Sequence, residues 1–154
     1  MGKALNNAAM IGFSLVVLIG VSSCASSDAP AGSTFDPSTG TFAPCPDSPN
    51  CVSTQASDAQ HAIEPYRFSD SAVDAKARML AIVNDMPRST VVVDGENYLH
   101  VEFRSRIFRF VDDVEFFFDE ADSLVQFRSA ARTGYSDMGV NRKRMEEIRA
   151  RFEG

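Results

Sequence analysis

Two hydrophobic rhythms run through the second half of the chain. After Ser71, Val73, Ala77, Leu80 and Ala81 recur at the spacing of one helix face. Ser71 and Asp74 supply a capping-box-like start, and "NDMP" at Asn84 to Pro87 ends the segment. The period then falls to two. Val91 to Val93 make a short strand ahead of a turn at Asp94-Gly95. Leu99, Val101 and Phe103 fall on one face of the next strand, with Tyr98, His100, Glu102 and Arg104 on the other. "RIFRFV" and "VEFFFDE" continue the theme through Phe108, Phe110, Val114, Phe116 and Phe118. A short "DEADS" connection follows, and Val125 and Phe127 then alternate with Gln126 and Arg128. A last helix carries Met145, Ile148 and Phe152 on one stripe, with Ser136, Asp137 or Asn141 placed to cap it. These rhythms predict an α+β domain: an antiparallel four- or five-stranded meander sheet packed by an N-terminal and a C-terminal helix, with the phenylalanines in its core.

The N-terminus has a different pattern. Lys3 precedes an apolar run of 14 residues, Ala8 to Val21, short of the roughly 20 that a membrane-spanning helix needs but suited to an export signal. "VSSC" at Val21 to Cys24 resembles a bacterial lipobox, which predicts a signal peptide over residues 1–23 and lipid, including an acyl chain such as palmitate, on Cys24. Two or more acyl chains give stable anchoring. The expected location is the bacterial cell envelope, facing the periplasm, and Ala25 after the cysteine favours the outer membrane by resemblance to Gram-negative sorting. Residues 24–44, rich in Ser, Ala, Gly, Pro and Thr, read as a lipid-anchored disordered tether, which leaves 45–154 as the folded domain.

The 154 residues suffice for one domain with a core. A net charge of -6, which becomes -7 once Lys3 leaves with the signal peptide, argues against nucleic acid as a partner and against a domain lying flat on anionic lipid. With Cys24 lipidated, Cys45 and Cys51 remain, and an oxidising envelope favours a disulfide between them. No metal site is expected, because only His61 and His100 supply imidazoles and both read as ordinary surface or sheet residues. Nothing in the pattern calls for a cofactor.

The least expected local feature is Arg142-Lys143-Arg144 in the first turn of the last helix, where each cation opposes the helix dipole by roughly 0.3–1 kcal/mol. Two kinds of compensation fit. One is a set of carboxylates from the sheet, drawn from Asp112, Asp113, Asp119 and Glu120. The other is a bound anion or lipid head group. In that case Arg128 and Arg132, four apart on the polar face of the last strand, join Arg142 and Arg144, with Tyr135, Asp137 and Asn141 orienting the ligand and Glu102 and Arg104 extending the face. The function expected from this is a non-catalytic binding module. A structural or interaction module meeting an envelope protein is the alternative, and a hydrolase-like enzyme would need Ser129 or Ser136 close to His100 as base.

"CPDSPNCVS", "EFRSRIFRFVDDVEFFFD" and "RSAARTGYSDMGVNRKR", in this order between about Pro44 and Phe152, resemble the family of unknown function DUF1499. The resemblance implies a small envelope or organelle protein, in many members a lipoprotein, with no established activity. Ala131 stands where the family's usual run has Ser, so the resemblance assigns no catalytic hydroxyl there.

Overall fold

A computed structural model describes residues 31–154. The expected signal peptide, Cys24 and the chain up to residue 30 lie outside the described residues. Ten elements follow in order: β1 Phe35–Asp36, β2 Thr41–Phe42, β3 Cys51–Ser53, β4 Tyr66–Arg67, α1 Ala72–Asp85, β5 Ser89–Asp94, β6 Tyr98–Arg104, β7 Val111–Asp119, β8 Leu124–Ala131 and α2 Val140–Phe152. The predicted meander is β5 to β8, and β3 and β4 both pair with the outer edge of β8 to make six strands, all antiparallel. The sheet is therefore α+β and antiparallel as expected, with two short edge strands that no period-two run announces.

One face of the sheet carries Leu99, Val101, Phe103, Val114, Phe116, Phe118, Val125 and Phe127, all buried under α1 and α2. Helix α2 presents the predicted stripe of Met145, Ile148 and Phe152, and the buried Tyr66 hydroxyl donates to the Met145 carbonyl at 2.7 Å. In α1, Ser71 is the N-cap and accepts from the Asp74 amide. Its buried stripe is Ala75, Met79 and Val83, whereas Val73, Ala77 and Ala81 of the predicted stripe are exposed and Leu80 is half-buried. The helix is apolar on more than one side, so contact with the sheet, rather than local pattern, chooses the inner face.

Two further expectations are corrected. Phe108 and Phe110 lie outside the core, in an exposed loop between β6 and β7. Arg109 there takes a left-handed backbone (φ 54°), which breaks the strand rhythm, and Ser105 closes the loop by donating its amide to the Phe110 carbonyl and accepting the Phe110 amide on its hydroxyl. The stretch from residue 31 to Pro44, expected as the end of a disordered tether, instead forms the β1–β2 hairpin and lies across the second face of the sheet. Phe35 stacks on Tyr98 with centroids 4.6 Å apart and tilts against Phe117 at 5.1 Å, and Phe42 is buried. We call residues 31–42 the strap. Cys45 and Cys51 are joined as a disulfide just beyond it.

Candidate functional site

The strap covers a layer of charge. Alternation along β6, β7 and β8 sends Tyr98, His100, Glu102, Asp113, Glu115, Arg128 and Arg132 to the face opposite the helices, and the register brings His100 beside Glu115, Glu102 beside Asp113, and Glu115 beside Arg128. His100 and Glu115 are fully buried, and Asp113 and Arg128 nearly so. Taking such groups out of water is costly unless each is paired and hydrogen-bonded, and a sheet face needs no such residues merely to fold.

Glu115 receives the strap. Its Oε1 accepts the Thr34 amide at 2.7 Å, the Phe35 amide at 3.1 Å and the Tyr98 hydroxyl at 2.7 Å, while Oε2 accepts the Thr34 hydroxyl at 2.6 Å. Arg128 Nη1 stands 3.9 Å from Oε2 as counter-charge. At the other side Arg132 donates to both Asp113 oxygens at 2.7 Å, to Glu102 at 2.6 Å, and to the Ala31 carbonyl at 2.8 Å. Gly32 passes so close to Asp113 that an added Cβ would collide with the carboxylate, and its φ of +90° also favours glycine. Strap backbone is thus held from both polarities: a carboxylate takes N–H groups and a guanidinium gives to C=O.

Burial by itself pushes the Asp113 carboxyl up, but the hydrogen bonds from His100 and Arg132 outweigh it and hold its pKa below the ordinary value. An ionised Asp113 only accepts, so His100 Nε2 carries the proton in their 2.8 Å contact. Hydrogen bonding to Asp113, more than to Glu102, raises the Arg132 pKa, whereas burial lowers that of Arg128 against the pull of Glu115 and Asp113. Burial also raises the Tyr98 phenol. His100 Nδ1 and Arg128 Nε have no hydrogen-bond partner among the described residues.

The arginines expected to converge are divided by the sheet. Arg104, Arg128 and Arg132 belong to the strap face, where Glu102 binds both Arg104 and Arg132. Arg144, on the helix side, donates to Asp112 at 2.6 Å and lies over the Phe103 ring. Arg142 donates to the Ala62 and Gln60 carbonyls beside an open hollow of about 640 Å³ that Arg149 also lines. Tyr135 is exposed in the loop after β8. Asp137 accepts the Gly139 and Asn141 amides, and the buried Asn141 joins Asp137, Ser129 and the Asn50 carbonyl. Arg128 and Arg132 therefore share no fork with Arg142 and Arg144, and of the expected set only Arg104 and Arg144 line one cleft, together with Asp112, among the described residues. The cations of the first turn of α2 are instead offset by Asp137 at the helix start and by Asp112, one of the four carboxylates expected; Asp113 serves Arg132.

Ser129 lies on the helix face, bonded to Asn141 at 2.5 Å, so the sheet separates it from His100. Ser136 is in the exposed loop before α2. His100 is a sheet residue, as expected, buried against Asp113, whereas His61 is not on the surface but buried, with Asp58 at 2.8 Å. Sequence reasoning missed Thr34, His100, Glu115 and Ser33, whose hydroxyl lies 2.9 Å from the Tyr98 hydroxyl and donates to Glu115 Oε1 at 3.3 Å, as members of one cluster. Its only local sign was the polar side of the β6 alternation.

This is an antiparallel α+β domain with helices on one sheet face and its own N-terminal strap on the other. The chain belongs to DUF1499, a family of proteins of unknown function, whose model matches residues 41–152. Glu115, Arg128 and Arg132 fall inside the matched region and Ser33 and Thr34 before it. No curated protein and no solved structure matches the chain.

Proposed function

We propose that the protein is a lipid-anchored module of the bacterial envelope that binds rather than catalyses, and that its binding surface is the charged sheet face, with an extended polypeptide as ligand. The observation that carries this reading is the grip on residues 31–35: Glu115 accepts two consecutive backbone amides and a hydroxyl, and Arg132 donates to a backbone carbonyl. Such a site recognises main chain plus a small hydroxyl residue followed by an aromatic one, and the strap is its occupant in cis. Partners are then envelope proteins with a segment of that chemistry. The anchor at Cys24 is supported by "VSSC" after an apolar run.

The test uses the full-length chain with Ser33→Ala and Thr34→Val, which weakens the strap's own hold, titrated with a peptide of residues 31–42. Saturable binding that disappears on adding Glu115→Gln is expected. No binding, while hydrogen exchange shows the strap released, would refute the reading. Mass spectrometry of the mature N-terminus checks the lipid on Cys24 separately.

A further inference from the structure

Of the eight exposed large apolar residues among the described residues, six stand at one end of the sheet: Ile107, Phe108, Phe110, Tyr135, Met138 and Val140. Register places them together. Arg104 at the end of β6 pairs with Val111 at the start of β7, Asp112 pairs with Ala131 at the end of β8, and the Arg132 amide donates to the Val111 carbonyl. The 105–110 loop and the 132–139 loop therefore leave from the same edge. Val140 and Lys143 share a cleft of about 280 Å³ with Arg88 and Ser105, which brings the start of α2 to that end as well.

Single exposed apolar residues are ordinary, but Ile107 at 78%, Phe108 at 73% and Met138 at 96% exposure crown two adjacent loops. Phe108 and Phe110 stack with centroids 5.6 Å apart in open solvent. Basic residues are interleaved with them. The ion pairs of this end engage Arg104, Arg132 and Arg144, and none reaches Arg88, Arg106, Arg109 or Lys143 among the described residues. In a chain of net charge -6 this is a local reversal of sign. The strap begins here too, since Ala31 is held by Arg132. Six residues lie between Cys24 and Ala31, and the seven Cα-to-Cα steps span at most about 25 Å whatever their conformation.

We infer that this end of the domain is a membrane-docking surface, with Ile107, Phe108 and Phe110 entering the interface of an anionic bilayer and Arg88, Arg106, Arg109 and Lys143 meeting its phosphates. The combination of apolar tips, a basic surround and a short leash ending at the same place selects a lipid surface over a second copy or a soluble partner. Overall negative charge does not oppose this orientation, because screening confines each field to roughly a Debye length of about 8 Å. The inference rests on the anchored reading above for its approach to the bilayer.

The chain contains no tryptophan, so Phe108→Trp in the mature full chain is a single reporter, and Val73→Trp, at the start of α1 and the opposite end, is its control. On phosphatidylethanolamine–phosphatidylglycerol vesicles, the Phe108→Trp emission is expected to move to the blue and to be quenched by brominated acyl chains, with the control unmoved. Arg106→Glu and Arg109→Glu should each lower the docked-to-free ratio on the order of fivefold, and high salt should mimic them. Emission that stays at the solvent wavelength, whether or not vesicles capture the protein, overturns the inference, as does an equal shift at the control. A blue shift in a chain whose Cys24 carries no lipid by mass spectrometry would sink the anchor and keep the docking surface; a lipidated chain without the shift does the reverse.

Discussion

Replacing Glu115 by Gln changes one atom of the side chain and removes the charge on which the strap face is organised. A rotated carboxamide keeps an oxygen toward the Thr34 and Phe35 amides and the Tyr98 hydroxyl, and its NH2 can give to the Thr34 hydroxyl, so bond number is nearly conserved. What is lost is the charge assistance of each bond and the counter-charge 3.9 Å from the buried Arg128 guanidinium. Breaking a buried pair by removing one partner costs about 3–5 kcal/mol. Asp113 also favours the charged form of Arg128, so the lower end, about 3 kcal/mol, applies here. The helices and the apolar face do not touch this network, and the loss should appear as strap opening before it appears as global unfolding. At about 1.4 kcal/mol per tenfold, amide exchange at Thr34 and Phe35 should accelerate on the order of 100-fold, while Phe116 and Phe127 keep their protection. Residue-resolved hydrogen exchange measures both. Unchanged exchange at Thr34 and Phe35, or core amides that exchange in step with them, would refute the assignment of Glu115 as the strap's clasp.

Three other outcomes follow from single features. Asp113, its pKa held below the unfolded value of about 3.9, contributes stability that is complete above that value and is lost as pH falls through the folded one; acid titration of the wild type should show this loss and Asp113→Asn should flatten it. Asp137→Ala removes the carboxylate that accepts the Gly139 and Asn141 amides and leaves Arg142 and Lys143 unopposed in the first turn of α2, a loss of about 1–2 kcal/mol readable from the denaturant midpoint. Opening the disulfide with Cys45→Ser and Cys51→Ser should cost up to about 2 kcal/mol in the same assay, reduced because Pro46 and Pro49 already stiffen the unfolded loop.

How far the sequence could be read depended on how local the deciding contact was. The Ser71 cap and the Met145, Ile148, Phe152 stripe are settled within one or two helical turns and were legible. The inner face of α1 was not, because Val73 and Ala75 begin competing apolar stripes and only packing separates them. Phe108 and Phe110 continue a period-two run on paper, but a left-handed Arg109 turns the chain out of the sheet. The strap was hidden for a stronger reason: Thr34 and Phe35 are fixed by a carboxylate about eighty positions away, and the Ser- and Gly-rich stretch around them carries no rhythm. The same distance obscured the site. The short loop from β8 to α2 suggested that Arg128 and Arg132 converge with Arg142 and Arg144, whereas the β8 pair points to the strap face and α2 packs on the other face of the sheet.

The strap also determines what happens when the chain upstream of Ala31 is pulled. Load enters at the Arg132 contact and travels to Glu115, so the attachments are peeled in succession rather than sheared together. Detachment through Phe42 would free twelve residues, whose fully extended contour is about 40 Å, and leave the disulfide at Cys45 as the next stop. The hairpin is thus the part of the described fold that load from the N-terminal side reaches first, ahead of the sheet and its helices.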